Sequence, residues 1–358
     1  MIARLLSHDL PRSRWLSLAL LLIVIALAFA PFIFPGSKAL GAAAKVLVFI
    51  VLVASYDLLL GYTGIVSFAH TMFFGIGAYG VAIASTRLGA GLPAVLIGLA
   101  LALAVSLLLS LLIGLFSLRV KAIFYAMITL AVATAFQTLA SQLSDITGGE
   151  DGLSFKNPAW LSPDFSLLPE PLLSVTVDGK VLTYYLLFAA TVLLFLLLLR
   201  IVNSPFGRML QAIRENDFRA EALGVRTVVY RTLSNVLAAL FACVAGALLA
   251  LWLRYTGPDT TLSFEIMLDI LLIVVIGGMG TLYGAVLGSV LFVLAQNYLQ
   301  DLLKLGAAAL EGVPILSVLV SPERWLLCLG VLFVLSVYHF PSGIVGRLRG
   351  AISRSDSS

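Results

Sequence analysis

Charge is scarce in this sequence. Of its 358 residues only 11% are Asp, Glu, Lys or Arg and 61% are hydrophobic, whereas a soluble globular chain carries roughly a quarter of its residues as charges. Water is thereby excluded as the main solvent. Cysteine is nearly absent too. Cys243 and Cys328 are the only two, both inside apolar runs without metal-ligand spacing, so they read as buried reduced thiols and argue against a disulfide or a metal site. No GxxxxGK[ST] phosphate loop occurs, which removes that route to ATP hydrolysis. Nor does an HExxH motif, a Cys-His cluster or a nucleophile elbow offer other chemistry. The expectation is a non-enzyme with no catalytic residue, no metal and no cofactor of its own. The net charge of +4 is scattered near the ends of apolar runs and forms no patch, so no nucleic-acid partner is expected.

What the sequence has is long apolar runs. Several reach or exceed the ~20 residues that cross ~30 Å of hydrocarbon as a helix. The first, Leu16 to Phe34, follows Arg4, Arg12 and Arg14 like a signal peptide, but it is too long for that and lacks a small-residue cleavage site. Candidate spans fall near 15–35, 41–60, 66–86, 92–118, 122–142, 182–202, 230–252, 264–279, 281–299 and 323–341. The predicted fold is all-α: one polytopic membrane bundle over 1–358 with about ten transmembrane segments. The glycine-dense pieces 61–80 and 277–288 are candidates for half-helices. Ten spans put both termini on one side. Arg119, Lys121, Arg200, Arg208, Arg214, Arg219, Arg226, Arg231 and Arg347 then share that side with the basic N-terminus, which makes it cytoplasmic by the positive-inside rule. Trp15, Trp252 and Trp325 stand at span ends, as interfacial anchors do.

Two hydrophilic loops interrupt the pattern. The outer one, 143–181, contains Thr147-Gly148-Gly149-Glu150-Asp151-Gly152. It also contains Asp178-Gly179 between β-formers, a hairpin signal. The inner one, 203–229, reads as a helix pair outside the membrane. Ser204 caps a helix with Pro205 at its first position, and Phe206, Met209, Leu210 and Ile213 recur at helical spacing. A break at Asn216-Asp217 leads to a second turn, Phe218 to Leu223, closed by Gly224. Such an element either docks into a groove on a soluble partner or rests its apolar stripe on membrane lipid.

Several motifs in order carry a resemblance. Gly207-Arg208 through Ala212-Ile213-Arg214-Glu215 to Glu221-Ala222-Leu223-Gly224 resembles the cytoplasmic coupling loop of branched-chain amino acid ABC permeases of the LivM-like kind. Leu58-Leu59-Leu60-Gly61-Tyr62-Thr63-Gly64 onward to His70, with Phe73-Phe74-Gly75-Ile76-Gly77-Ala78-Tyr79, resembles the family's early signature. Val275-Ile276-Gly277-Gly278-Met279-Gly280 through Gly288 resembles the late one, and Phe340-Pro341-Ser342-Gly343 also matches. The resemblance implies a bacterial inner-membrane importer subunit that pairs with a homologous permease, two ABC ATPase subunits that bind the ATP, and a periplasmic substrate-binding protein. It implies that Arg208, Arg214, Glu215 and Glu221 make polar contacts to the ATPase while Phe206, Leu210 and Ile213 fill its cleft, with Gly224 closing the loop.

The glycine run Gly75 to Gly80 satisfies GxGxxG, yet it lies within a span and lacks the βαβ context of a dinucleotide site. Close helix packing accounts for it, as for Gly280, Gly284 and Gly288. Breaks at such glycines would instead expose backbone to cargo; on that reading Thr63, Gly64, Ser67, His70, Gly75, Gly77, Gly277 and Gly278 line the substrate path. A structural role for His70 competes with this. Glu265 and Asp269 stand one turn apart near a span end, as pathway or capping residues. The remaining functional alternatives are a stand-alone secondary carrier or channel for small polar solutes, and an ABC permease for urea or short amides.

Overall fold

The computed structural model describes residues 13–33, 36–117, 122–163, 165, 177–309, 322–339 and 343–347. The apolar runs are helical because, away from water, a helix satisfies every backbone N–H and C=O within its own segment. In chain order these are α1 (Arg14–Ala28), α2 (Ser37–Asp57), α3 (His70–Leu88), α4 (Leu92–Ser117), α5 (Ala122–Gln142) and α6 (Gly179–Val202). After them come α7 (Pro205–Glu215), α8 (Asp217–Ala222), α9 (Thr227–Leu253), α10 (Phe264–Gly277), α11 (Leu282–Ala309) and α12 (Trp325–His339). A two-residue antiparallel ribbon pairs Leu153 with Thr256 and Ser154 with Tyr255, fastening the 143–178 loop to the segment before α10.

Among the described residues, seven stretches are long and apolar enough to cross a membrane: Ser37–Thr63, Leu92–Phe116, Ile123–Gln142, Gly179–Val202, Thr227–Leu253, Pro258–Gly277 and Leu282–Leu305. The other three expected spans take different forms. Span 15–35 is interrupted at Phe29, so α1 has 15 residues. Span 66–86 starts only at His70, because 64–69 is not helical. Span 323–341 is the 15-residue α12.

Burial sorts the helices into layers. Some 83% of the apolar stretch in Ser37–Thr63 is enclosed by protein, against 22% of that in Ile123–Gln142. Thus α2, α3 and α9 form the interior, whereas α4, α5 and α6 present Leu101, Leu108, Ile123, Met127 and Leu193 outward, a surface suited to hydrocarbon. Contact inside depends on small residues. A Cβ at Gly77 of α3 would overlap the Cys243 carbonyl of α9, and one at Gly246 of α9 would overlap the Phe74 carbonyl of α3. The two backbones therefore touch through reciprocal glycines, the packing role expected for the GxGxxG run.

The Asp178-Gly179 hairpin turn is corrected by the structure. Asp178 is the extended N-cap residue and Gly179 the first residue of α6, because the apolar run that follows draws the segment into a helix. Residues 166–176 lie outside the described residues, as do Arg119, Lys121 and 340–342 of the last motif.

Candidate functional site

Ser204 adopts extended backbone and its Oγ accepts the Gly207 N–H, with Pro205 at the first helical position; such a cap stabilises a helix by ~1 kcal/mol. Asn216 ends α7 and caps α8, its side chain accepting the Arg219 N–H at 2.9 Å. Gly224 takes φ +86°, the left-handed conformation that turns the chain toward α9.

The apolar stripe of α7 faces inward. Leu210 is 0% and Ile213 1% exposed, and Phe206 stacks on Tyr230 of α9 with centroids 5.8 Å apart. The expectation that Phe206, Leu210 and Ile213 fill a cleft on another subunit is therefore corrected: helix α7 lies on the end of its own bundle, which buries the stripe. Two of the expected polar residues, Arg214 and Glu221, have partners within the chain while staying exposed. The Glu221 carboxylate accepts a hydrogen bond from Thr227 Oγ1 at 2.7 Å, and the guanidinium of the exposed Arg214 reaches the end of the bundle. A further tie joins Asp217 of α8 to Arg231 of α9 at 2.9 Å.

The outward apolar residues differ from those expected. Arg208, Arg214, Glu215 and Glu221 are all exposed, and the apolar groups beside them are Phe218, 87% exposed, and Leu223, 80% exposed. These two escape a stripe analysis because both lie on α8 and its end, out of phase with the periodicity of α7.

Arg214 is where the helix pair meets the core. Past Asp57, α2 continues as a π-helical turn, Leu58–Thr63, ended by Gly64 at φ +75°; π-turns recur at functional sites. The Arg214 guanidinium donates to the Gly61 carbonyl of this turn. On the other side of Gly61 lies the break between α10 and α11, where the Gly280 N–H donates to Asp57 Oδ1 at 2.9 Å. A Cβ on Gly61 would collide with both Asp57 and the Gly280 nitrogen, so only glycine permits this approach. Arg214 and Asp57 attract each other across the junction. One side chain of α7 thus contacts one helix break and borders a second.

A model of the branched-chain amino acid transport system permease component matches residues 39–337. This chain belongs to that family. Among its relatives, the high-affinity branched-chain amino acid transport system permease protein LivM of Salmonella typhimurium is 27% identical over 84% of this chain and 72% of its own length. LivM of Escherichia coli is 25% identical over the same shares. The corresponding protein BraD of Pseudomonas aeruginosa is 27% identical over 69% of this chain and 80% of its own. No solved structure matches. The chain is accordingly a multi-pass membrane permease of the branched-chain amino acid transport family, whose members are transport subunits and not enzymes.

Within this permease the eight expected path residues fall into two groups. Thr63, Gly64, Gly277 and Gly278 lie at the two helix breaks. Thr63 Oγ1 donates to the Leu58 carbonyl at 2.8 Å, and Gly277 packs against the Gly284 backbone. Ser67, just before α3, and His70, Gly75 and Gly77 in its first turns are buried. His70 Nε2 lies 3.0 Å from Ser55 Oγ and 3.1 Å from the Leu52 carbonyl of α2, with its ring against Tyr56. Gly75 meets Leu262, and Gly77 meets α9. None of the eight lines the cleft that holds charged groups within the bundle. That cleft is lined by Lys45, Asp259, Glu265, Asp269 and Gln296. Lys45 stands within α2, eight residues past Ser37.

Proposed function

We propose that this chain is one membrane-spanning subunit of an ATP-driven importer of branched-chain or related amino acids. It would form the translocation path with a homologous permease in a bacterial inner membrane. Two ABC ATPase subunits bind ATP and dock on the outward face of α7 and α8, and a periplasmic binding protein delivers cargo at the opposite end. On this reading the chain crosses ten times as a single permease domain, both termini are cytoplasmic, and lipid covers α4, α5 and α6. The observation that carries the reading is the mounting of α7. Its inner face is locked to the bundle, its outer neighbours Phe218 and Leu223 are bare, and Arg214 connects it to the π-turn of α2. A large exposed apolar pair beside charged residues marks a protein interface, and the junction supplies a route for the partner's motion into the helices. The relatives' names favour neither a stand-alone carrier nor a urea permease.

Co-purification from detergent tests this. ATPase subunits are expected to elute with the native chain and to be lost from Phe218→Glu and Leu223→Glu variants. Absence of ATPases from the native preparation, with uptake of leucine proceeding without ATP, would refute the importer.

A further inference from the structure

Toward the end of the bundle remote from α7, a cleft of about 390 Å³ lies among α2, α3, α9, α10 and α11, within the ~300–1,000 Å³ range of small-molecule sites. Its walls differ in chemistry. Phe49, Phe74 and Trp252 form an apolar side, and Lys45, Glu265, Asp269 and Gln296 a polar one. Lys45 Nζ donates to Gln296 Oε1 at 2.7 Å and stands 5.3 Å from the Phe49 ring centroid. Glu265 and Asp269 lie one helical turn apart on α10 and so share a face.

The polar wall is incompletely matched. Asp269 and Lys45 attract each other, yet among the described residues no carboxylate stands in ion-pair contact with Lys45. Gln296 occupies the interval instead: its carbonyl oxygen accepts a hydrogen bond from Lys45 Nζ and its side chain lies beside Asp269. A neutral amide thus presents an acceptor to a cation while adjoining an anion. The α-carboxylate and α-ammonium of a free amino acid present the same pair with full charges, and charge-assisted hydrogen bonds are roughly twice as strong as neutral ones. Ionisable groups held inside a membrane bundle mark substrate pathways.

We propose that this cleft receives an aliphatic amino acid as its zwitterion, the α-carboxylate on Lys45 Nζ, the α-ammonium between Asp269 and Glu265, and the side chain against Phe49, Phe74 and Trp252. The choice of an amino acid as cargo rests on the importer reading. The geometry adds a site on the permease itself, with two poles and an apolar wall. Asp259 at the same cleft adds a further carboxylate, so a ligand lacking a cationic end is rejected.

Equilibrium binding of radiolabelled L-leucine to the detergent-purified full chain tests the site without ATP or partner subunits. The native chain is expected to bind, Lys45→Met and Asp269→Asn to weaken binding at least about tenfold, and Lys45→Arg to restore most of it. Isopentylamine, which lacks the carboxylate, and 4-methylpentanoate, which lacks the ammonium, are each expected to compete at least about tenfold less well than leucine. Competition by these two needs no variant, so it decides the matter even where a substitution prevents folding. The proposal is overturned if the native chain binds no leucine, if either charge-removing variant binds it as the native chain does, or if isopentylamine competes equally. ATP-driven uptake measured on the reconstituted complex is a separate reading: its failure with leucine binding intact overturns the importer and leaves the site.

Discussion

Replacing Arg214 with alanine separates binding of the ATPases from transmission of their motion. The guanidinium is the one described link between α7 and the π-turn carbonyl of Gly61, and it also attracts Asp57, which holds the Gly280 N–H of the second break. Hydrogen bonds involving a charged group contribute ~1.5–3 kcal/mol. Because the side chain is only partly buried, ~1.5 kcal/mol is the appropriate end of that range, which is about tenfold in an equilibrium constant. Leu210, Ile213 and the Asp217–Arg231 pair still seat the helix pair, and Phe218 and Leu223 are untouched. Arg214→Ala is therefore expected to keep its ATPases and hydrolyse ATP while leucine uptake falls about tenfold per ATP, with Arg214→Lys intermediate. Proteoliposomes assayed for uptake and phosphate release in the same sample measure the ratio. An unchanged ratio, or loss of the ATPases from the purified complex, would refute the reasoning.

Further outcomes follow from the same geometry. Leu210→Ala is expected to destabilise the chain by ~2–5 kcal/mol, as for other buried leucines, and to lower its aggregation temperature in detergent; an unshifted temperature would show that α7 does not lie on its bundle. Gly246→Val places a side chain against the Phe74 carbonyl and is expected to abolish recovery of monodisperse protein, whereas Gly330→Ala, with nothing near its Cβ, is expected to have no effect. Single cysteines at Glu150 and Gln211, in a chain whose Cys243 and Cys328 are replaced by alanine, are expected to react with an impermeant maleimide from opposite faces of the membrane. Labelling of both from one face would overturn the ten-crossing topology.

Much of the local architecture was legible in advance. The cap at Ser204, the break at Asn216 and the left-handed Gly224 each follow from a residue's own backbone preferences, and all three stand as read. Asp178-Gly179 failed as a hairpin because turn propensity is weak beside an adjoining apolar run that becomes helix. Span 66–86 began late because the 64–69 segment is not helical, and in it the Phe68 N–H donates to Thr129 Oγ1 at 3.0 Å. A partner 61 residues away satisfies that backbone, and no local pattern announces it.

The sequence alone determined the solvent class, the helical content and the family. Hydropathy is summed along one segment at a time, and motifs are matched in order. It also showed that α7 is amphipathic, but an apolar stripe does not say what covers it. Only the tertiary structure decided that the stripe of α7 rests on its own bundle, leaving Phe218 and Leu223 bare. It alone brought Arg214 to Gly61, 153 residues away, and Lys45 to Gln296, 251 residues away. Those meetings depend on the rotation of each helix about its axis and on where glycines let backbones touch, and these are properties of the packed bundle as a whole.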